Sequence, residues 1–321
     1  MTDTTIDIAA GIHRIARGKH GAENLNRQDA AALFAALLAA DADPLQRGAF
    51  LIAERMKGET QVELAGFVDA ARASIEAFGN ISMPQGAVDF PCYAGKRRAA
   101  PVHLAAALMA RDRGVAVLVH GVAAIEGRIS AWQVLQKAGV SRATNIAEAA
   151  SCLHSEGIVY LDIADYCPGL FDVLALRSRL GVRSFAHTVA RLLNPLNCAG
   201  QLNGIFHTPY ATLMTQVNVL LGQPRSLIFA GAEGDPELYA DRQKALFAQI
   251  GDSVSACSYA AAGCALYPRQ AVADVQALCV SLSSFVEGAG NTREQVVMRR
   301  MHQAFDFASA GAWPVDWKKE D

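Results

Sequence analysis

Residues 4–78 carry a helical pattern of apolar and polar positions. In NLNRQDAAALFAALLAADADPLQRGAFLIAERMKGET, apolar residues recur at intervals of three and four, which is typical of packed amphipathic helices. Asn26 and Asp43, the latter followed by Pro44, are suitable first residues for two of these helices. The segment is therefore predicted to form a small helical unit.

From about residue 88 the pattern changes to short apolar runs separated by helical stretches. The clearest runs are VAVLVHG (115–121), GIVYLDI (157–163) and RSLIFAG (225–231). Such alternation predicts parallel strands joined by crossover helices. Residues 168–193 form a second helical interruption. The sequence thus predicts an α/β fold with an additional helical domain.

Composition fits a soluble α/β protein of 321 residues with 52% hydrophobic content. No apolar run approaches 18 residues, and the N-terminus MTDTTIDIAAG carries acids where a secretory signal carries bases. We therefore expect a cytoplasmic protein. The seven scattered cysteines lack zinc-ligand spacing and are expected to be buried thiols.

The charge is unevenly distributed along the chain. The net charge is −2, but residues 92–191 contain twelve Lys and Arg against seven Asp and Glu, while both ends of the chain are acidic. A local surplus of five positive charges indicates an anionic partner. Most of these bases lie in CYAGKRRAAP (92–101) and LALRSRLGVRSFAHTVARLLNP (174–195).

Three segments follow predicted strands, where ligands bind in parallel α/β sheets: YAGKRR, VHGVAAIEGR and FAGAEGDPE. The first contains one glycine, Gly95, so positive side chains replace a backbone phosphate cradle; a solvated turn is the alternative. His120 in the second is either a hydrogen-bonded structural residue or a catalytic one. The acids of the third, Glu233, Asp235 and Glu237, either ligate magnesium or cap a helix.

In the stretch 174–195, Gly181 and Ser184 predict a helix stop followed by an N-cap. Two short helices would then meet at a corner and bring the arginines together there. The alternative is a solvated face.

Three passages resemble anthranilate phosphoribosyltransferase and its relatives: RMKGETQVELAGF (55–67), LRSRLGVRSFAHTVARLLNP (176–195) and FAGAEGDPE (229–237). The resemblance implies a small helical domain on a larger α/β domain with a central, mostly parallel sheet. It implies residues 1–78 plus 166–194 for the helical domain, which forms a homodimer, and 79–165 plus 195–321 for the α/β domain. In the enzymes, phosphoribosyl pyrophosphate and magnesium bind at the hinge.

The motifs of the enzymes are altered here. Their Gly-Thr-Gly-Gly-Asp phosphate loop corresponds to Cys92–Lys96, and their Asn-x-Ser-Thr has no match in AAPVHLAAA. Pro236 and Glu237 replace the Asp-Glu pair, and only His120 and Gly121 remain of Lys-His-Gly-Asn-Arg. Arg177 does match the arginine that faces the aromatic substrate. These losses remove the electrostatic groups on which phosphoribosyl transfer depends.

The sequence also resembles a divergent TrpD-like branch of the family, whose members keep the fold, lose the enzymatic loops and bind nucleic acid through a basic groove. YAGKRR, VHGVAAIEGR and LGVRSFAHT, with His187, carry this resemblance. The prediction is a protein that binds DNA or RNA without sequence specificity. The candidate contacts are Lys19, Arg55, Lys57, Lys96, Arg97, Arg98, Arg128, Arg177, Arg179, Arg183 and Arg191.

Two alternatives stay open. One is a phosphoribosyl or glycosyl transferase that uses phosphoribosyl pyrophosphate and magnesium, with His120 and Arg177 as catalytic residues and Glu237 as the metal ligand. The other is a non-catalytic dimeric scaffold that binds another protein.

Overall fold

The computed structural model describes residues 7–18, 20–279, 282–288 and 290–319. In this part of the chain nine strands form one sheet, in the order β3-β4-β2-β1-β5-β6-β7-β8-β9. The strands are β1 (Val88–Cys92), β2 (Val117–Gly121), β3 (Arg142–Ala143), β4 (Ile158–Asp162), β5 (Gly200–Ile205), β6 (Arg225–Ala230), β7 (Lys244–Ile250), β8 (Ser253–Tyr259) and β9 (Lys318–Lys319). Pairing is parallel from β3 to β6 and antiparallel from there to β9. The predicted α/β class and mostly parallel sheet are confirmed.

The α-helices of the described residues lie before, between and after these strands. They are α1 (Ile8–Ile15), α2 (Arg27–Leu38), α3 (Pro44–Lys57), α4 (Gln61–Ala73), α5 (Val102–Asp112), α6 (Ala131–Leu135), α7 (Ile146–Glu156), α8 (Ile163–Tyr166), α9 (Pro168–Ala175), α10 (Arg177–Leu180), α11 (Ala186–Leu192), α12 (Pro209–Leu220), α13 (Ser283–Val286) and α14 (Thr292–Ala310). As the sequence predicts, the Asn26 and Asp43 side chains cap α2 and α3 by accepting backbone N–H groups. None of these helices is long and apolar enough to cross a membrane.

The helices of two separate segments share one core. The ring of Phe185, just before α11, stacks on Phe67 of α4 at 4.3 Å between centroids and contacts Phe34 of α2 at 5.2 Å. Buried aromatic pairs of this kind contribute about 0.5–1.5 kcal/mol beyond the area that they bury. The segment around 166–194 therefore packs against the N-terminal helices, while the domain boundaries given above stay a prediction.

Strand β5 is buried but carries polar side chains, which explains its absence from the apolar pattern. Gln201 donates to the Asp89 carboxylate at 2.9 Å, and Asn203 donates to the Arg191 carbonyl at 3.0 Å. Such internal partners offset the cost of burying amide side chains. Because β1, β2, β5 and β6 run parallel, the loops that follow them meet at one edge of the sheet.

Candidate anion-binding cleft

Two loops are joined at this edge of the sheet. Lys96 and Ile129 exchange backbone hydrogen bonds of 2.9 and 2.8 Å, so the loop after β1 lies along the loop after β2. Gly95 has a φ of +67°, and a Cβ there would lie 2.9 Å from the Ile129 carbonyl oxygen. A glycine is required at this close approach. The pairing fixes the backbone from which Lys96, Arg97 and Arg98 project.

The acidic turn after β6 binds the basic loop directly. The Glu233 carboxylate accepts the backbone N–H groups of Arg97 at 3.0 Å and Arg98 at 3.1 Å, and the Tyr267 hydroxyl donates to it at 2.8 Å. Asp235 accepts the N–H of Ala94 at 2.9 Å. The backbone donors that could cradle an external anion are therefore occupied by carboxylates of the same chain.

Lys96 and Glu237 form a buried ion pair. The Lys96 ammonium is 1% exposed and donates to one Glu237 carboxylate oxygen at 2.7 Å. The other oxygen lies 3.0 Å from His103 Nδ1 and 3.2 Å from the His103 backbone nitrogen. Burial by itself raises the pKa of Glu237, but the Lys96 ammonium and His103 outweigh it and lower that pKa to about 2.

This pair corrects two predictions. Lys96 is not a phosphate contact, because its ammonium is buried and neutralised. Glu237 is not placed as a magnesium ligand, because both of its oxygens already have partners, and its neighbour Lys96 is a cation. Within the residues that the structure describes, no three His, Cys, Asp or Glu side chains are grouped to hold a metal. The residues present do not fit magnesium.

Five arginines converge on one cavity of about 310 Å³ between the helical segment and the sheet edge; we call it the arginine cavity. The Nε atoms of three lining residues, Arg97, Arg98 and Arg183, are buried within the protein and have no hydrogen-bond partner. Its only acidic lining residue among those described is Glu233, which lies 3.6 Å from Arg128. The lining is Arg97, Arg98, Arg128, Arg177, Gly181, Val182, Arg183, Phe206, His207 and Glu233.

The arginines raise the local positive potential. Burial, followed by repulsion from Arg177 and Arg191, lowers the pKa of Arg183 to about 10. Arg183 remains charged at neutral pH. Five arginines line the cavity against a single acid among the described residues, so the lining leaves positive charge uncompensated. The cavity therefore suits a negatively charged ligand with several oxygen acceptors.

The predicted corner of two short helices borders this cavity. α10 ends at Gly181, whose φ of +72° is left-handed, so the predicted helix stop is confirmed. The predicted N-cap Ser184 is wrong: α11 begins at Ala186 after Phe185, and no side chain caps it. The turn between the two helices contains Arg183, which lines the cavity.

A second cavity of about 350 Å³ adjoins the first and shares Val182, Arg183, Phe206 and His207 with it. We call it the aromatic cavity. Burial and the neighbouring guanidinium groups of Arg191 and Arg183 lower the pKa of His187, in its lining, to about 3, so the imidazole is neutral at pH 7. The remaining lining is Arg55, Glu59, Ser184, Thr188, Ile205, Tyr210, Met214 and Gly234, with Arg191.

Two further cations from the prediction are committed to internal contacts. All three nitrogens of the Arg191 guanidinium donate to carbonyls, those of Gly204, His187 and Gly234. The Lys57 ammonium is buried between Glu54 and Glu63, at 3.1 and 2.7 Å. Both predicted contacts are therefore corrected, because neither group is free to meet a phosphate.

The other predicted cations have different surroundings. Arg55 is exposed and donates to the Arg183 carbonyl at 2.6 Å, at the rim of the aromatic cavity. Arg179 is exposed but lines neither cavity, and Lys19 lies outside the described residues. Arg177 is exposed and does line the arginine cavity.

His120 is buried inside the sheet edge. Its Nδ1 lies 2.9 Å from the Tyr93 hydroxyl and 3.0 Å from the Tyr166 hydroxyl, and its Nε2 lies 3.1 Å from Asp89. It has no exposed surface, and it lines neither cavity. The prediction that His120 is a catalytic residue is wrong, because a substrate cannot reach a side chain that is fully buried.

The sequence analysis missed Phe206, His207 and Tyr267. Phe206 and His207 follow β5, and recognising that strand would have placed them at the ligand-binding edge. No local signal identifies Tyr267, which reaches Glu233 from 34 residues farther along the chain.

Solved structures of anthranilate phosphoribosyltransferases share the fold of this chain. The fold matches anthranilate phosphoribosyltransferase of Thermus thermophilus with a TM-score of 0.72 at 21% identity, over 94% of this chain and 89% of that one. The Saccharomyces cerevisiae enzyme in complex with PRPP and Mg matches with a TM-score of 0.63 at 13% identity, over 95% of this chain and 98% of that one. The protein therefore has the anthranilate phosphoribosyltransferase fold, a helical bundle beside an α/β domain.

Two segments of the chain match domains of one protein family. Residues 11–75 match the glycosyl transferase family, helical bundle domain, and residues 87–262 match the a/b domain of the glycosyl transferase family. The Escherichia coli (strain K12) protein YbiB is 32% identical over 73% of this chain and 72% of its own length. The chain belongs to this glycosyl transferase family.

The family includes enzymes. Anthranilate phosphoribosyltransferase of Methylobacterium radiotolerans is 33% identical over 67% of this chain, and that of Methanosphaerula palustris is 31% identical over 65%. The match spans 61% and 62% of the lengths of these two enzymes, less than two thirds. The predicted resemblance to the family is confirmed, and the nucleic-acid-binding branch stays a prediction.

Proposed function

We propose that the protein binds nucleic acid without sequence specificity, with the arginine cavity contacting phosphates of the backbone. The observation that carries the proposal is the convergence of Arg97, Arg98 and Arg183 on one cavity whose described lining holds a single acid, Glu233. Arg128 and Arg177 complete the cationic lining. Guanidinium groups bind phosphate oxygens through paired N–H donors, and phosphate contacts of this kind carry no sequence information.

The chemistry of the loop favours phosphates of a polymer over one chelated diphosphate. A magnesium diphosphate needs free backbone N–H groups and free carboxylates. Glu233 occupies the N–H groups of Arg97 and Arg98, and Lys96 with His103 occupies the Glu237 carboxylate. Arg128 donates to the Gly95 carbonyl at 2.9 Å and lies 3.6 Å from Glu233. The side chains of Arg97, Arg98, Arg177 and Arg183 remain available, and they need neither a metal nor a cradle.

The test is a titration of labelled DNA and RNA oligonucleotides in EDTA at about 50 and 200 mM salt. With five phosphate contacts on a single strand, affinity falls about 100-fold between the two concentrations because counterions are released. Absence of binding at the lower salt concentration, or binding that is indifferent to salt, would overturn the proposal.

A second candidate is phosphoribosyl or glycosyl transfer, which family membership favours. It would bind phosphoribosyl pyrophosphate with Arg177 facing the acceptor, and it would need a magnesium site that the described carboxylates do not form. Calorimetry separates the candidates: micromolar binding of phosphoribosyl pyrophosphate that requires magnesium and vanishes with EDTA would establish this candidate. If millimolar phosphoribosyl pyrophosphate with magnesium gives no heat of binding, this second candidate is excluded.

The helical segment supports self-association as part of the same proposal. One face of α3 and one face of α1 line an apolar groove, and Leu45 and Met56 on it are 81% and 79% exposed. A contiguous apolar surface of this kind marks an interaction site, and we propose a second copy of this chain as its occupant. Sedimentation velocity should give a dimer that Leu45→Asp dissociates, while the matched control Val315→Asp leaves it intact. A wild-type monomer would contradict this.

A further inference from the structure

Phe206 is exposed at the junction of the arginine cavity and the aromatic cavity. Its side chain is 59% exposed, whereas the buried phenylalanines of the sheet, such as Phe90 and Phe229, are fully enclosed. It lines both cavities, together with Arg183. A single exposed apolar residue is common, so it is the place of this ring between the two cavities that points to a ligand with a flat apolar face.

Phe206 lies between β5 and the start of α12. Phe206 directly follows β5, whose last residue, Ile205, accepts the backbone N–H of Gly231 at 2.9 Å. Beyond it, α12 begins at Pro209. The side chain also lies beside Gly234, where a Cβ would be 3.7 Å from the Phe206 Cβ. The ring therefore projects from the bend that directly follows a hydrogen-bonded strand, next to the turn that contains Gly234.

Among the described residues, no aromatic ring stacks on a face of the Phe206 ring. Its one aromatic contact among the described residues is with His207, edge-on at 4.9 Å between centroids. In the part of the chain that the structure describes, no guanidinium or ammonium group lies over this ring, although such contacts occur on other aromatic residues. A face of Phe206 is available for stacking.

The two cavities differ in chemistry on either side of Phe206. The arginine cavity is lined by five arginine side chains, which suit phosphates. The aromatic cavity has charged residues in its lining, Arg55, Glu59 and Arg183 among them, but it adds Tyr210, Met214, Ile205 and a neutral His187, whose ring and apolar surfaces suit a flat group. A nucleotide has both parts, a phosphate and a planar base, a few ångströms apart.

We infer that the cleft binds single-stranded nucleic acid, with one unpaired base stacked on Phe206 and the adjoining phosphates on Arg183 and its arginine neighbours. The inference rests on the proposed function and adds the strand type to it. A base in a duplex is stacked on both faces, so it does not reach Phe206 unless the strands separate. Base stacking on an aromatic side chain is tolerant of sequence, which agrees with non-specific binding.

The experiment measures the affinity of wild type, Phe206→Ala, Phe206→Trp and the control Leu266→Ala, whose side chain is exposed outside both cavities. The probes are a labelled single strand, the same strand as a blunt duplex, and a strand of equal length with abasic sites in place of its internal bases. Phe206→Ala should bind the single strand about tenfold more weakly, which is the loss of one stacked base. The affinity of Phe206→Ala for the duplex and for the abasic strand should stay within about twofold of wild type. Phe206→Trp keeps a ring for stacking and should bind the single strand as tightly as wild type.

The outcomes separate this inference from the proposed function. Equal weakening on all three probes, or no weakening on any, would overturn the stacking role while the salt-dependent binding of wild type stands. If wild type binds none of the three probes, the proposed function itself fails and the stacking role fails with it. Because Phe206 is exposed, Phe206→Ala should melt within about 2 °C of wild type, the spread of neutral surface changes.

Discussion

The Lys96 ammonium donates to the Glu237 carboxylate at 2.7 Å, and both side chains are buried. In the sequence these residues resemble two separate functional groups, a phosphate-binding cation and a metal ligand. In the fold each neutralises the other. The loop after β1 is therefore held to the turn after β6 by an internal ion pair, and the arginines beside it are left to face the cleft.

Removing one member of this pair should destabilise the fold. Lys96→Met leaves the Glu237 carboxylate buried with only His103, and we expect a loss of about 3–5 kcal/mol in the free energy of unfolding. The double variant Lys96→Met with Glu237→Gln should recover most of it, because no buried charge remains. Urea denaturation measures all three, with the exposed Lys137→Met as a control within about 0.5 kcal/mol of wild type. If Lys96→Met were as stable as wild type but bound oligonucleotides more weakly, Lys96 would be a phosphate contact and the buried ion pair would be contradicted.

Neutralising Glu233 should strengthen polyanion binding. Glu233→Gln keeps one of the two oxygens that accept the N–H groups of Arg97 and Arg98, and it removes the one acid from the described lining of the arginine cavity. At low salt we expect about fivefold tighter binding of an oligonucleotide, equivalent to ~1 kcal/mol. Anisotropy titration measures this, and the exposed Glu287→Gln is the matched control. Weaker binding by Glu233→Gln would mean that the carboxylate orders the loop rather than competing with the ligand.

Glu54 should make stability depend on pH. Burial and the nearby Glu63 carboxylate raise the pKa of Glu54 from 4.5 to about 8, despite the attraction of Lys57. The folded protein then holds a proton that unfolding releases, so the free energy of unfolding falls as pH rises from 4.5 to about 8, by up to about 1.4 kcal/mol per unit. Glu54→Gln should flatten this decline, and the exposed Glu76→Gln should not. Unfolding curves at about pH 5.5, 7 and 8.5 provide the comparison; equal slopes for wild type and Glu54→Gln would refute the assignment.

His120 should contribute to stability and not to ligand binding. His120→Asn breaks its contacts with the Tyr93 and Tyr166 hydroxyls and leaves buried polar groups unpaired, which costs about 1–3 kcal/mol. Oligonucleotide affinity, measured at a temperature where the variant is folded, should equal that of wild type. The exposed His20→Asn is the control for both measurements. A stable His120→Asn with a large loss of affinity would contradict the buried role.

The parts of the fold that follow local patterns could be predicted from the sequence. Strands β2, β4 and β6 are apolar runs, and the turn at Gly181 has a recognisable helix stop. Strand β5 could not be found this way, because Gln201 and Asn203 are polar and their partners include Asp89, which is distant in sequence. Because β5 was not predicted, Phe206, which directly follows it, was not predicted at the ligand-binding edge either.

The candidate site was predictable only in part for a similar reason. A run of bases does not tell which cations have internal partners. Lys96 and Lys57 are neutralised by Glu237 and Glu63, which lie 141 and 6 residues away in sequence. Arg97 and Arg98 follow Lys96 directly, yet their Nε atoms have no partner. Tertiary contacts make this distinction, and local sequence does not record them.

The salt dependence of oligonucleotide binding tests the central claim most directly. The triple variant with Arg97, Arg98 and Arg183 replaced by Gln removes three guanidinium groups whose Nε atoms have no internal partner. Plots of log affinity against log salt, recorded in EDTA on a single strand, should be shallower for this variant than for wild type by about 2, since each lost phosphate contact reduces the slope by about 0.7. A control with the exposed Lys137, Arg269 and Arg299 changed to Gln should keep the wild-type slope. Equal slopes for the cleft variant and wild type, or binding that requires magnesium, would contradict a nucleic-acid-binding arginine cavity.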